Sequence, residues 1–165
     1  VSGTAIFSEF DSGGRLIGEA GVPAAVAVPR QTIFVDTTGG FQIGVAYANP
    51  GSSAVPLTLS LLNSAAEVVR STPQVLGPGN HNAAFTFQLF SGAPPLAGTM
   101  QITSASPLAA IALRFDSTFS VFTTLPPVTI ASLFNPAMQW FDQRHWLAPL
   151  TSLARILGAF QFRIG

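Results

Sequence analysis

Residues 41 to 62 carry the clearest two-residue periodicity in the chain. Phe41, Ile43, Val45 and Tyr47 alternate with smaller partners, Asn49-Pro50-Gly51-Ser52-Ser53 interrupts them, and Val55, Leu57, Leu59 and Leu61 resume the same alternation. Successive side chains of a strand point to opposite faces, so the pattern predicts two half-buried strands over 41–48 and 55–62 joined by a turn.

The same reading extends in both directions. Residues 3–10 predict a strand with Ile6 and Phe10 on its buried side together with Thr4 and Ser8, and Asp11-Ser12-Gly13-Gly14 predicts a hairpin turn returning through 15–20. Residues 21–30, with Pro23 and Pro29 bracketing small residues, read as an extended linker before a short strand over 32–36. After a turn at 63–66, residues 67–71 pair back, the Pro- and Gly-rich stretch 73–80 reads as a loop, and 81–87 is extended. Residues 87–90 suit a single helical turn. Residues 98–104 and 108–115 read as a strand pair joined through Ser106-Pro107, and 119–124 closes the set. Eight or nine short strands punctuated in this way predict an all-β fold, an Ig-like antiparallel β-sandwich.

Beyond Asn135 the pattern changes. Asn135 as N-cap and Pro136 as first helical residue open a helix, and Leu150, Leu153, Ile156, Leu157 and Phe160 recur at helical spacing, with Pro149 dividing two pieces. A short helical C-terminal tail is therefore expected. It either packs an amphipathic face on the sandwich or on another copy, or is foreign to the module.

The two ends of the β region echo each other. Ala5-Ile6 and Phe10-Asp11-Ser12 recur as Ala110-Ile111 and Phe115-Asp116-Ser117, five matches in eight positions at an offset of 105. The expected organisation is a hairpin over 1–22 echoing the module's end as the remnant of a preceding repeat, a sandwich module over 23–128, and a tail over 129–165. The alternative is that two strands of like burial converged on like residues. Val1 in place of a methionine suits a processed chain or an excised piece.

Composition narrows the function classes. Only 8% of residues are charged against about 25% in ordinary domains. Seven arginines, scattered singly and without any lysine, balance seven acids to a formal charge of zero. Nucleic-acid binding rests on clustered cations, so that partner is not expected. Low charge gives little repulsion between copies, so self-association is expected to be easy. The absence of cysteine removes disulfides, thiolate nucleophiles and Cys-ligated zinc. The apolar run 108–113 is too short to span a bilayer, and no membrane span is expected.

The segments 3–7, 14–23, 44–50 and 108–115 (Gly-Thr-Ala-Ile-Phe, Gly-Arg-Leu-Ile-Gly-Glu-Ala-Gly-Val-Pro, Gly-Val-Ala-Tyr-Ala-Asn-Pro and Leu-Ala-Ala-Ile-Ala-Leu-Arg-Phe) resemble repeated Ig-like β-sandwich modules of large secreted or surface proteins of soil bacteria. The resemblance covers about residues 3 to 128. It implies a secreted or cell-surface, non-catalytic accessory module and transfers no site residues; the tail has no counterpart in it.

Candidate chemistry is sparse. His81 and His145 are the only bases for a serine nucleophile, and Gly-x-Ser-x-Gly does not occur. A small hydrolase using Ser and His, or a carboxylate pair drawn from Glu9, Asp11, Glu19, Asp36, Glu67, Asp116 and Asp142, stands as one alternative. Asp11 and Asp116 occupy turn positions where aspartate caps its own backbone. No calcium loop is present, and Asp142 with His145 suits an ordinary helix surface better than zinc; no metal and no cofactor is expected. Carbohydrate binding is the other alternative, because sugar faces stack on exposed rings, and Trp140, Trp146 and Tyr47 are the rings for a polysaccharide partner. Tyr47 alternates in phase with Ile43 and Val45, which suits the core equally. The leading expectation is structural: display, adhesion or self-assembly through exposed strand edges.

Overall fold

The structure, a computed structural model, describes residues 3–130. Its elements are β1 (Thr4–Phe10), β2 (Leu16–Pro23), β3 (Val28–Asp36), β4 (Gln42–Ala48), β5 (Val55–Asn63), β6 (Val68–Leu76), β7 (His81–Phe85), α1 (Thr86–Leu89), β8 (Ala97–Phe115), β9 (Phe122–Leu125) and β10 (Val128–Thr129). Every strand pairing is antiparallel. The fold is an all-β sandwich, as the two-residue periodicity predicts.

One strand organises it. The first half of β8 lies between β3 and β5, with Met100 opposite Ile33 on one side and Leu61 on the other. Its second half lies between β4 and β9, with Ala112 opposite Val45 and Leu125. β8 thus passes from one sheet, ordered β10-β3-β8-β5-β6, into the other, ordered β7-β4-β8-β9. Strands that change sheets in this way close the corner of a sandwich. At the crossing β3 slips register between Val28 and Arg30, and the buried Gln31 donates its Nε2 to the Leu108 carbonyl at 3.0 Å.

The core fills the space between the two sheets. Ile33 and Val35 of β3, Ile43, Val45 and Tyr47 of β4, Val55, Leu57, Leu59 and Leu61 of β5, and Met100, Ile102, Leu108, Ala110 and Ala112 of β8 are all buried. Fully burying one such aliphatic side chain stabilises by about 1.5–3 kcal/mol. Asn49 ties the β4–β5 turn into this frame, its Nδ2 donating to the carbonyls of Ser53, Leu76 and Gly77 while its Oδ1 accepts from Gly51 N–H.

Three sequence expectations change. Residues 98–104 and 108–115 are not a hairpin: Pro107 sits inside the single 19-residue strand β8. Its missing N–H costs nothing because it falls in the stretch between the two ladders, where no partner strand is paired. Residues 73–76 belong to β6 rather than to a loop, because among the described residues β6 pairs only with β5 and an edge strand accepts Pro73. β3 begins at Val28, so the extended linker shortens to residues 24–27. The tail expected beyond Asn135 lies outside the described residues.

Candidate docking surface

β1 and β2 form a two-stranded sheet of their own. Its turn is built by Asp11, whose Oδ1 accepts from Gly13 and Arg15 N–H at 2.9 and 2.8 Å while its backbone carbonyl accepts from Gly14 N–H. The hairpin formed by the end of β8 and β9 repeats the design. Asp116 Oδ1 accepts from Ser120 and Val121 N–H at 2.9 and 3.1 Å, and its carbonyl accepts from Phe119 N–H. In both turns the third residue after the aspartate takes a left-handed backbone: Gly14 at φ 79° and Phe119 at φ 60°.

The register repeats as well. Phe7 faces Ala20, Ser8 faces Glu19 and Glu9 faces Gly18; 105 positions later Ala112 faces Leu125, Leu113 faces Thr124 and Arg114 faces Thr123. The first turn is one residue shorter, and a bulge between Glu9 and Phe10 absorbs the difference. The echo in sequence is therefore an echo in strand pairing and turn bonding.

The two hairpins meet through aromatic and small residues. The Phe7 ring lies edge-on to Phe122 of β9 at 5.2 Å, and Thr124 Oγ1 donates to the Gly21 carbonyl at 2.6 Å. Gly18 is required at this contact, since a Cβ there would come within 2.7 Å of the Phe122 ring. The buried side expected for β1 is reversed: Ile6 and Phe10 are 61% and 59% exposed, and Phe7 is the residue that packs. Alternation alone marks two faces; which one turns inward depends on what lies beside the strand.

Beyond this contact the outer face of the β7-β4-β8-β9 sheet is apolar. Phe85 stacks on Phe87 at 5.5 Å and meets Phe115 and Phe119 edge-on at 5.6 and 5.5 Å, and Phe115 continues to Phe122 at 5.5 Å. A cavity of about 430 Å³ lies over this face, floored by Gly44, Ala46, Ile111 and Leu113 and walled by Phe7 and Val22 of the first hairpin. Gly44 gives the floor its depth: a Cβ there would sit 3.4 Å from both Phe85 and Phe115. Five phenylalanines of this cluster, Phe85, Phe87, Phe115, Phe119 and Phe122, are scattered over the sequence without a shared period, and no local signal gathers them.

The ionisable groups serve local bonds. The Thr38 hydroxyl donating to Asp36 holds that carboxyl below its ordinary value, burial opposes the shift, and Arg114 at 3.2 Å assists it. Arg114 also lies 3.5 Å above the Phe41 ring. Bonds from Arg15 N–H lower Asp11, and the Thr118 hydroxyl lowers Asp116, both toward the ionised form that caps the turn. Glu19 accepts from Ser8, and Glu67 from Asn63. Among the described residues no group of three or more His, Asp or Glu is placed to hold a metal ion, and no helix is long and apolar enough to cross a membrane.

Tyr47 is a correction. It is only 2% exposed, with its hydroxyl donating to Gln74 and accepting from Asn82 Nδ2, and burial raises its pKa against those bonds. A ring sealed between two sheets offers no face to a sugar. Trp140, Trp146, Asp142 and His145 lie outside the described residues. No family model matches this chain, and no curated protein matches it.

Proposed function

We propose that the chain is a non-catalytic β-sandwich module of a secreted or cell-surface protein, working in structural display, adhesion or self-assembly through repeated copies. The observation that carries this reading is the pair of hairpins at a 105-residue offset with one register and one turn design, the first packed on the second through Phe7 and Phe122. A repeat whose terminal hairpin also packs against the next repeat is the unit from which arrays are assembled. The low charge and the aromatic outer face of the β7-β4-β8-β9 sheet support the same role, since contiguous apolar surface marks sites of association.

Sedimentation velocity across a concentration series, run beside turnover assays on ester and glycoside substrates, tests the reading. Concentration-dependent association without turnover is the expected result. A monodisperse monomer that turns over substrate, with the activity abolished by His81→Ala or by a single carboxylate substitution, overturns it.

A further inference from the structure

We infer that the first hairpin is exchanged between copies: β1 and β2 of one molecule seat on β9 of a second copy, making there the contact they make here with their own sandwich. The inference rests on the array reading above and names the surface through which copies join. Each copy carries both halves of the joint, and neither half has to unfold to be offered. Among the described residues β1 and β2 pair only with each other, so no ladder ties the hairpin to the sandwich. Asp11 closes its turn, and the bond from Ala24 N–H to the Gly3 carbonyl closes its open end, so these bonds travel with it. The seat is equally complete, because Phe122 and Thr124 belong to β9, which is laddered to β8.

The joint is small and made through side chains. Phe7 meets the Phe122 ring edge-on, Thr124 Oγ1 donates to the Gly21 carbonyl, and Gly18 leaves room for the Phe122 ring. The connection over residues 24–27, Ala-Ala-Val-Ala, lies across the sandwich without packing into it. Val26 is 78% exposed, and a cavity of about 210 Å³ opens between residues 24–26 and Ala110, Pro126 and Pro127. Swinging the hairpin outward therefore breaks the joint and little else.

Contacts broken in one copy are remade in the other, so their energies cancel and concentration sets the balance. A segment on a short flexible linker meets its own seat at an effective concentration on the order of millimolar, and exchange overtakes self-docking as the protein approaches that value. The repeat supplies the reason for a partner in trans. Because the register and turn of the first hairpin reproduce those of β8 and β9 at an offset of 105, the hairpin stands in an array as the end of the preceding module. The joint is then a contact between modules, and exchange between separate copies reproduces it. Reciprocal exchange fills both seats and closes a twofold dimer.

The test refolds an equal mixture of isotope-labelled and unlabelled full chain at protein concentrations on the order of micromolar and of millimolar, separates the products by size, and reads interchain nuclear Overhauser contacts in the mixed dimer. Monomer is expected at the low concentration and dimer at the high one, with Phe7 of one copy in contact with Phe122 of the other. Gly18→Leu drives a side chain into the Phe122 ring and should abolish the dimer. Ile6→Ser, on the opposite face of β1, should leave its yield unchanged. A chain that stays monomeric at both concentrations overturns the inference, as does a dimer whose Phe7–Phe122 contact stays within each copy. So does a dimer that survives Gly18→Leu in a variant keeping its circular dichroism, or one that is lost with Ile6→Ser. Should Gly18→Leu fail to fold, the interchain contact in the unaltered chain decides by itself. None of these outcomes bears on turnover, and a dimer joined through another face overturns the exchange while leaving the array reading in place.

Discussion

The hairpin of β1 and β2 and the hairpin of β8 and β9 share their turn bonds and their register, yet one lies half outside the sandwich and the other runs through its centre. Phe7 and Ala112 occupy the same position in the two designs. Phe7 is 45% exposed, whereas Ala112 is sealed between the sheets. Local chemistry builds the hairpin twice; the neighbouring strands decide what burial each copy receives. A residue choice that is neutral in one copy is then forbidden in the other.

Exchanging those residues gives the largest expected effect. Ala112→Phe forces a ring into a packed interior beside Val45 and should destabilise the sandwich by about 1–3 kcal/mol or more. Phe7→Ala removes a ring from a surface contact and should cost the sandwich less than about 1 kcal/mol while loosening the first hairpin. Denaturant midpoints measured on both variants check this. A loss of equal size in the two would mean that the first hairpin belongs to the cooperative core.

The acid response separates the hairpins next. Asp11 and Asp116 both titrate below the ordinary value of 3.8 because the ionised form accepts backbone and hydroxyl donors. A depressed folded pKa contributes stability that is present in full above the unfolded value and is lost as pH falls through the folded one. The contribution of Asp116 should therefore begin to fall below about pH 4 and fade as the pH drops further, and Asp116→Asn should flatten that part of the global stability profile. Asp11→Asn should leave the global profile alone and change only local opening of β1. Thermal midpoints between pH 7 and pH 3 for both variants decide it.

These cases show why the sequence discloses some parts of the molecule and withholds others. β4 and β5 were legible because each faces the core on one side and shows the two-residue alternation directly. The Asp11 and Asp116 turns were legible because their chemistry is confined to a few neighbouring residues. Pro73 and Pro107 misled because a proline's cost depends on whether its N–H faces a partner, which only the sheet order reveals. The inward face of β1 and the phenylalanine cluster depend on contacts between distant segments, as with Phe7 and Phe122. Tyr47 suits both a binding ring and a core ring in sequence, and its in-phase neighbours Ile43 and Val45 point to the core where it lies.

A smaller effect is expected at the left-handed position of the first turn. Gly14 holds φ 79°, and Gly14→Ala places a Cβ in a conformation that costs about 1–2 kcal/mol. The loss should appear as faster amide exchange along β1 and β2, with little movement of the sandwich's unfolding midpoint. A midpoint shift of the same size would join the two hairpins into one unit.

The smallest net change belongs to the matching residue of the second turn, where two effects oppose. Phe119 adopts φ 60°, so replacing it by glycine relieves about 1–2 kcal/mol of backbone strain. The same change removes a ring lying 5.5 Å from Phe85 and 5.9 Å from Phe115, each such pair contributing about 0.5–1.5 kcal/mol. Phe119→Gly should therefore shift stability by less than about 1 kcal/mol. Phe119→Ala loses the same rings and keeps the strain, so it should be the more destabilised of the two, reversing the usual order in which glycine is the costlier replacement. Urea midpoints of the two variants, measured side by side, test the sign. If alanine proves the milder substitution, the left-handed geometry that unites the two turns is not what Phe119 contributes, and the likeness of the hairpins ends at their aspartates.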